Sequence, residues 1–168
     1  MKLDFMLVTA ILVVLIFLPF VLLPLLKNGD RKKLTKKFRE EEKNHNLNTQ
    51  LKENWSQNYI GMDLTEKKLL FVQKAEEDFV VEIIDLKLFN ACVPIIEELE
   101  VQKEGKTERL LRRVILEFSL KNAGLKKSIN LFDYDLHFNQ DLEKSHAMKW
   151  ADLISQQLSK QSVLKQTA

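Results

Sequence analysis

Between Phe5 and Leu26 the chain has 22 consecutive residues in which Thr9 is the only polar side chain. A helix that is apolar on every side cannot find enough protein to cover it in a domain of this size, whereas a bilayer covers it completely. At about 1.5 Å per residue the run is roughly 33 Å long, enough to cross a hydrocarbon layer of about 30 Å. A helix also closes its own backbone hydrogen bonds, as lipid requires. The run therefore predicts a membrane-spanning anchor over residues 1–26, bent or loosened near its exit by Pro19 and Pro24. A cleaved secretory signal fits less well. Its apolar core is shorter, its basic residues come first, and small residues mark its cleavage site, whereas this run exits through Leu25-Leu26-Lys27.

Charge gives the anchor a direction. Lys2 and Asp4 precede the run; Lys27, Arg31, Lys32, Lys33, Lys36, Lys37 and Arg39 follow it, interrupted only by Asp30. Basic residues beside a span stay on the cytoplasmic side. The expected topology is thus a single-pass protein of the cell inner membrane, with its N-terminus outside and everything after Leu26 cytoplasmic. Residues 27–52 hold nine Lys/Arg against four Asp/Glu, and residues 53–168 hold 16 against 19. The basic excess lies beside the membrane, where it suits anionic lipid head groups, and the seven basic residues just named are the candidate membrane-surface contacts. The slightly acidic remainder lacks the cationic surface a nucleic-acid binder needs. With Cys92 as the only cysteine, no intrachain disulfide forms.

Residues 27–54 read as a basic juxtamembrane helix and linker. Asp30 is placed to cap it, Leu34 and Phe38 form an i, i+4 apolar pair, and the seam then fails at Glu41 and His45, which argues against a coiled coil. This pattern reads mainly as a topology signal and solvated spacer. Residues 55–160 form the folded domain and 161–168 a frayed tail. Within the domain, short runs of strand character are bounded by polar turns: 58–64, 68–74, 79–85, 88–96, 98–103 (a continuation of 88–96 or a separate short strand), 113–120 and 127–133. Pro94 cannot donate to a ladder and assigns its strand to an edge or a bulge. From Leu142 to Leu158 the period becomes helical, with Ala147, Trp150, Ala151, Ile154 and Leu158 on one stripe. The fold class is α+β, mainly β, with six to seven antiparallel strands.

Seven candidate strands followed by a tryptophan-bearing helix resemble the pleckstrin-homology and GRAM-like superfold. That resemblance covers residues 57–158 and implies a bent sheet or barrel closed at one corner by the terminal helix, with Trp150 and Ile154 as its plug. Glu53-Asn54-Trp55, Ile60-Gly61-Met62-Asp63 and Lys149-Trp150 also resemble a group of uncharacterised bacterial single-pass membrane proteins, a likeness that brings no activity. Inositol-phosphate-binding members of the superfold carry a basic cluster in the first hairpin. Here that turn reads Asp63-Leu64-Thr65-Glu66-Lys67-Lys68, so phosphoinositide binding is not implied.

Catalytic signatures are sparse. Asp133, Asp135 and His137 share one face of a strand and could converge on a divalent metal, but Asp is also a habitual turn former where a strand ends. His45, His137 and His146 fit no metal-ligand spacing, the four glycines make no phosphate loop, and a strand thiol such as Cys92 is ordinarily inert. The reading is a non-enzymatic interaction module with no cofactor, docking an unidentified protein partner near the membrane. The alternatives are a lipid or small apolar ligand held in the barrel, and a metal enzyme built on Asp133, Asp135 and His137.

Overall fold

The computed structural model describes the whole chain except residues 1, 77, 104, 121–123, 136–141 and 167–168. Side chains are also undescribed for 2–5, 9–10, 19–28, 103 and 161–166. A helix, α1, runs from Lys2 to Asn44. Seven strands follow: β1 (Leu51–Trp55), β2 (Asn58–Asp63), β3 (Lys68–Ala75), β4 (Asp78–Asp85), β5 (Phe89–Lys103), β6 (Lys106–Leu120) and β7 (Lys126–Asp133), with a 3-10 turn at Leu86–Leu88 between β4 and β5. The last element is helix α2, Glu143–Gln166.

The helical assignment passes through Pro19 and Pro24 without a break. Among the described residues no helix is long and apolar enough to cross a membrane; within Phe5–Leu26 the described side chains are 6–8 and 11–18. Those from Ile11 to Leu18 are consecutive, cover more than two helical turns, and are all 46–62% exposed.

The strands form two antiparallel sheets, β1-β2-β3-β4 and β5-β6-β7, and are not closed into a barrel as the sequence reading expected. Side chains join the sheets where β7 meets the first one. A bulge at Leu131 interrupts the β6–β7 register. The Leu131 carbonyl instead accepts from Asn58 Nδ2 at 2.7 Å and Gln73 Nε2 at 3.3 Å, and Gln73 Nε2 also bonds Asn58 Oδ1 at 2.8 Å. Two buried side-chain amides, from the interior strands β2 and β3, thus tie β7 to the first sheet across the space between the sheets.

One core lies between the sheets and α2. Met62, Phe71, Phe118, Phe132 and Trp150 fill it, and the α2 stripe Ala147, Trp150, Ala151, Ile154 and Leu158 covers one side. A second, smaller core lies on the outer face of the first sheet, where Leu34 and Phe38 of α1 meet Leu47, Leu70 and Val72. Strand β3 therefore buries both faces, Leu69 and Phe71 inward and Leu70 and Val72 outward, which explains its unbroken apolar run. Pro94 sits on β5, an edge strand, as its missing donor requires, while the register shifts against β6 fall on either side of it, between Phe89 and Ala91 and between Glu97 and Glu98. β5 is one 15-residue strand, the continuous form of the two that the sequence leaves open, and β1 is a strand the sequence reading does not identify.

Candidate functional site

The basic segment is not a solvated spacer. Leu34 and Phe38 are fully buried, and the Phe38 ring stacks on Tyr59 with centroids 3.9 Å apart. Gly61 makes this approach feasible: a Cβ there would lie 2.6 Å from Phe38 Cζ and 3.0 Å from Thr49 Cγ2. Polar contacts fix the helix along its length. Asp30 pairs with Lys74 at 2.8 Å, Asn54 Nδ2 donates to Thr35 at 3.4 Å, and Glu42 accepts from the Thr49 hydroxyl and from Lys52. The Lys74 hydrogen bond holds the Asp30 carboxyl below its ordinary range.

With one face committed to the sheet, the opposite face is set by 100° steps per residue. Lys32, Lys36, Arg39 and Lys43 fall within an arc of about 60° pointing away from Leu34 and Phe38. With Arg31, Thr35 and Glu40 they line a surface groove of about 610 Å³. The structure thus brings together Arg31, Lys32, Lys36 and Arg39 of the sequence-derived set. It separates Lys33, exposed on another azimuth, and Lys37, half-buried and paired with Glu41 at 2.8 Å. The side chain of Lys27 lies outside the described residues. Lys43 was missed, although its place four residues after Arg39 and seven after Lys36 is the signal that finds it.

The acid–histidine pattern at the end of β7 is resolved in part. Asp133 accepts from Arg113 Nε at 3.0 Å and from the Asp135 backbone N–H at 3.2 Å, the geometry of a strand-ending turn. Burial acts to raise its pKa, but these two donors, the Arg113 charge and a hydrogen bond from Asn130 together outweigh it and hold the carboxyl below its ordinary range. His137 lies outside the described residues, and among those described no three His, Cys, Asp or Glu side chains cluster as metal ligands. Cys92 is buried, and burial pushes its thiol up to about 12, far from a nucleophile at neutral pH.

A polar clamp on α2 had no counterpart in the sequence reading. Glu53 of β1 accepts from Lys149 Nζ at 2.8 Å and Trp150 Nε1 at 2.7 Å, with His146 Nδ1 at 3.4 Å. Beside it, Trp55 Nε1 donates to Glu143, and the Trp55 ring stacks on His146 with centroids 4.6 Å apart. Its long sequence separation hid it. The clamp is structural, locking the start of α2 onto β1.

No protein-family model, curated protein or solved structure matches this chain.

Proposed function

We propose that the chain is a non-enzymatic, single-pass inner-membrane protein that presents a pleckstrin-homology-like domain at the cytoplasmic face to dock a protein partner. The observation that carries this reading is the character of α1. Its described side chains from Ile11 to Leu18 are apolar and exposed on all sides, and its basic continuation is built into the domain through Leu34 and Phe38. Apolar side chains left bare around a whole helix call for lipid, and the basic flank sets the cytoplasmic side. Four strands, then three, then a helix with buried Trp150 follow the element order of pleckstrin-homology-like domains and support that resemblance.

The groove on α1 divides the basic residues by height. Counted along the helix from Leu26, Arg31 and Lys32 stand about 8–9 Å from the end of the apolar run, Arg39 about 20 Å and Lys43 about 26 Å. Charge interactions across water fade over about 8–10 Å. Lys27, Arg31, Lys32 and Lys33 are therefore the residues for anionic head groups. Arg39 and Lys43 stand beyond that reach and suit an acidic surface on a protein partner, with Lys36, about 15 Å out, between the two sets.

Protease protection tests the assignment. Protease added outside sealed cells should leave residues 53–168 intact, and protease added to inverted membrane vesicles should digest them. Digestion from outside the cell would contradict the topology, and recovery of the chain in the soluble fraction would contradict the anchor.

A further inference from the structure

The β5–β6 hairpin is longer than the domain needs. Beyond the register shift after Glu97, the backbones of residues 98–103 and 106–111 pair with each other, and the described side chains from Glu98 to Gln102 and from Lys106 to Arg109 are exposed. Residues two apart on a strand, and residues directly opposite across an antiparallel pair, share a face. Leu99 and Val101 therefore stand on one face with Leu110, which pairs with Leu99. Leu99 is 41% and Val101 44% exposed. Glu108 lies opposite Val101 on this face and Lys106 lies nearer the tip. The other face is charged, with Glu100 and Arg109 at 3.6 Å and Glu98 paired with Lys144. A two-stranded ribbon is marginal alone in water, and this one leaves Leu99 and Val101 bare beside the half-buried Leu110.

The direction of the ribbon follows from three sets of contacts. Helix α1 runs against β1, since Thr35 meets Asn54 while Glu42, further on, meets Lys52. Helix α2 also runs against β1, since Glu143 meets Trp55 while Lys149 and Trp150 meet Glu53. Strand β5 runs against α2, since Cys92 meets Ser155 while Glu98 meets Lys144. Both helices thus lead away from the apolar run and β5 leads back towards it. The level of the first turn of α2 is that of Trp55. This is the end of the first sheet where Lys74 N–H bonds Gln57 O and the Lys74 side chain holds Asp30. Asp30 is only four residues, about 6 Å of rise, beyond Leu26. From Glu98 the strand continues five residues, about 17 Å, in that sense. The interfacial layer of a bilayer is about 5–8 Å deep on each side, so the ribbon is long enough to reach it.

We propose that the β5–β6 ribbon is a second membrane contact, laying Leu99, Val101 and Leu110 into the surface of the bilayer that holds the apolar run. The inference rests on the anchored reading above. The domain is then held at two points, and its end at Leu88, where Leu86 N–H bonds Lys67 O and the side chain is 55% exposed, faces away from the lipid.

The test uses the full chain in phosphatidylcholine–phosphatidylglycerol vesicles, with an environment-sensitive fluorophore on Val101→Cys or, as the comparison, Leu88→Cys. Buried Cys92 stays in place. The label at 101 should shift its emission to the blue, be quenched by nitroxide-bearing lipid and resist an aqueous quencher, while the label at 88 does the reverse. If the chain floats with the vesicles but both labels respond as in water, the ribbon contact is overturned and the anchor stands. If both labels meet lipid, the deduced orientation is wrong and the proposal falls. If the chain does not float with the vesicles, the anchored reading and the ribbon contact fall together.

Discussion

The docking of α1 on the first sheet depends on a missing side chain. Replacing Gly61 with alanine places a methyl group 2.6 Å from Phe38 Cζ, with Thr49 Cγ2 and Cβ at 3.0 and 3.1 Å on its other side. Neither neighbour is free to move: Phe38 is fully buried against Tyr59, and Thr49 is held by Glu42. Overpacking of this kind costs about 1–3 kcal/mol. Truncating Phe38 to alanine instead costs about 3–5 kcal/mol through the lost burial and cavity. The two sites are in contact, so their effects should not add. Once the ring is gone, most of the clash goes with it. The double variant F38A/G61A should then cost about 3–5 kcal/mol, the same as F38A alone, where independence would give about 4–8 kcal/mol. The core between the sheets shares none of its side chains with the core under α1. The loss should therefore appear first as faster amide exchange over residues 31–44, measured on the full chain in lipid nanodiscs, with the β6 and α2 amides following only on global unfolding. Additive penalties, or unchanged exchange in α1 of G61A, would refute the reasoning.

Three further outcomes follow from the same structure. Asn58→Ala removes the shorter of the two amide bonds to the Leu131 carbonyl, and the denaturation midpoint should fall by the equivalent of about 1–3 kcal/mol; an unchanged midpoint would mean that water replaces the amide without loss. Glu53 and Asp63 are carboxylates whose folded pKa lies below their ordinary values of 4.5 and 3.8, because favourable partners outweigh burial: hydrogen bonds from Lys149 and Trp150 with the nearby charge of His146 and Lys149 for Glu53, and the Glu66, Asn48 and Thr65 N–H groups with the charge of Lys68 for Asp63. The unfolded chain takes up protons first, so thermal stability should be flat above these values and decline as pH falls through the lower folded ones; Glu53→Gln should flatten part of that decline, and an acid-independent melting temperature would contradict the assignment. Cys92, its thiol raised to about 12, should resist maleimide at mildly alkaline pH until the domain is unfolded; rapid labelling of the native protein would show that the strand opens.

Period and punctuation made much of the domain legible in the sequence. The stripe from Ala147 to Leu158 is the buried face of α2, Pro94 marks an edge strand, and Thr65-Glu66 lies in the turn that Asp63 closes by accepting from both of their N–H groups. Strand β1 escaped because Leu51–Trp55 is short and carries charges at Lys52 and Glu53, which face solvent and the α2 clamp instead of alternating with apolar residues. The docking of α1 escaped because Leu34 and Phe38 alone make too narrow a stripe. What buries them is the outer face of β3, and only Gly61, an ordinary residue by spacing, admits them. The open join between the sheets was not legible either, since Asn58, Gln73 and Leu131 are far apart in the chain. Of the candidate contacts, the basic run was legible as charge but not as geometry. Lys37 leaves the set for Glu41, and Lys43 enters it, only once one face of the helix is fixed.

The central claim is that the helix emerging from the apolar run is part of the domain's own fold, so that the domain is held in one orientation. Paired nitroxides at Arg39→Cys and Leu88→Cys, in the full chain reconstituted into bilayers, measure this directly, because both native side chains are exposed and lie on separate elements. The account predicts one narrow distance distribution that broadens when Phe38 is replaced by glutamate. A broad distribution in the otherwise native chain would contradict it.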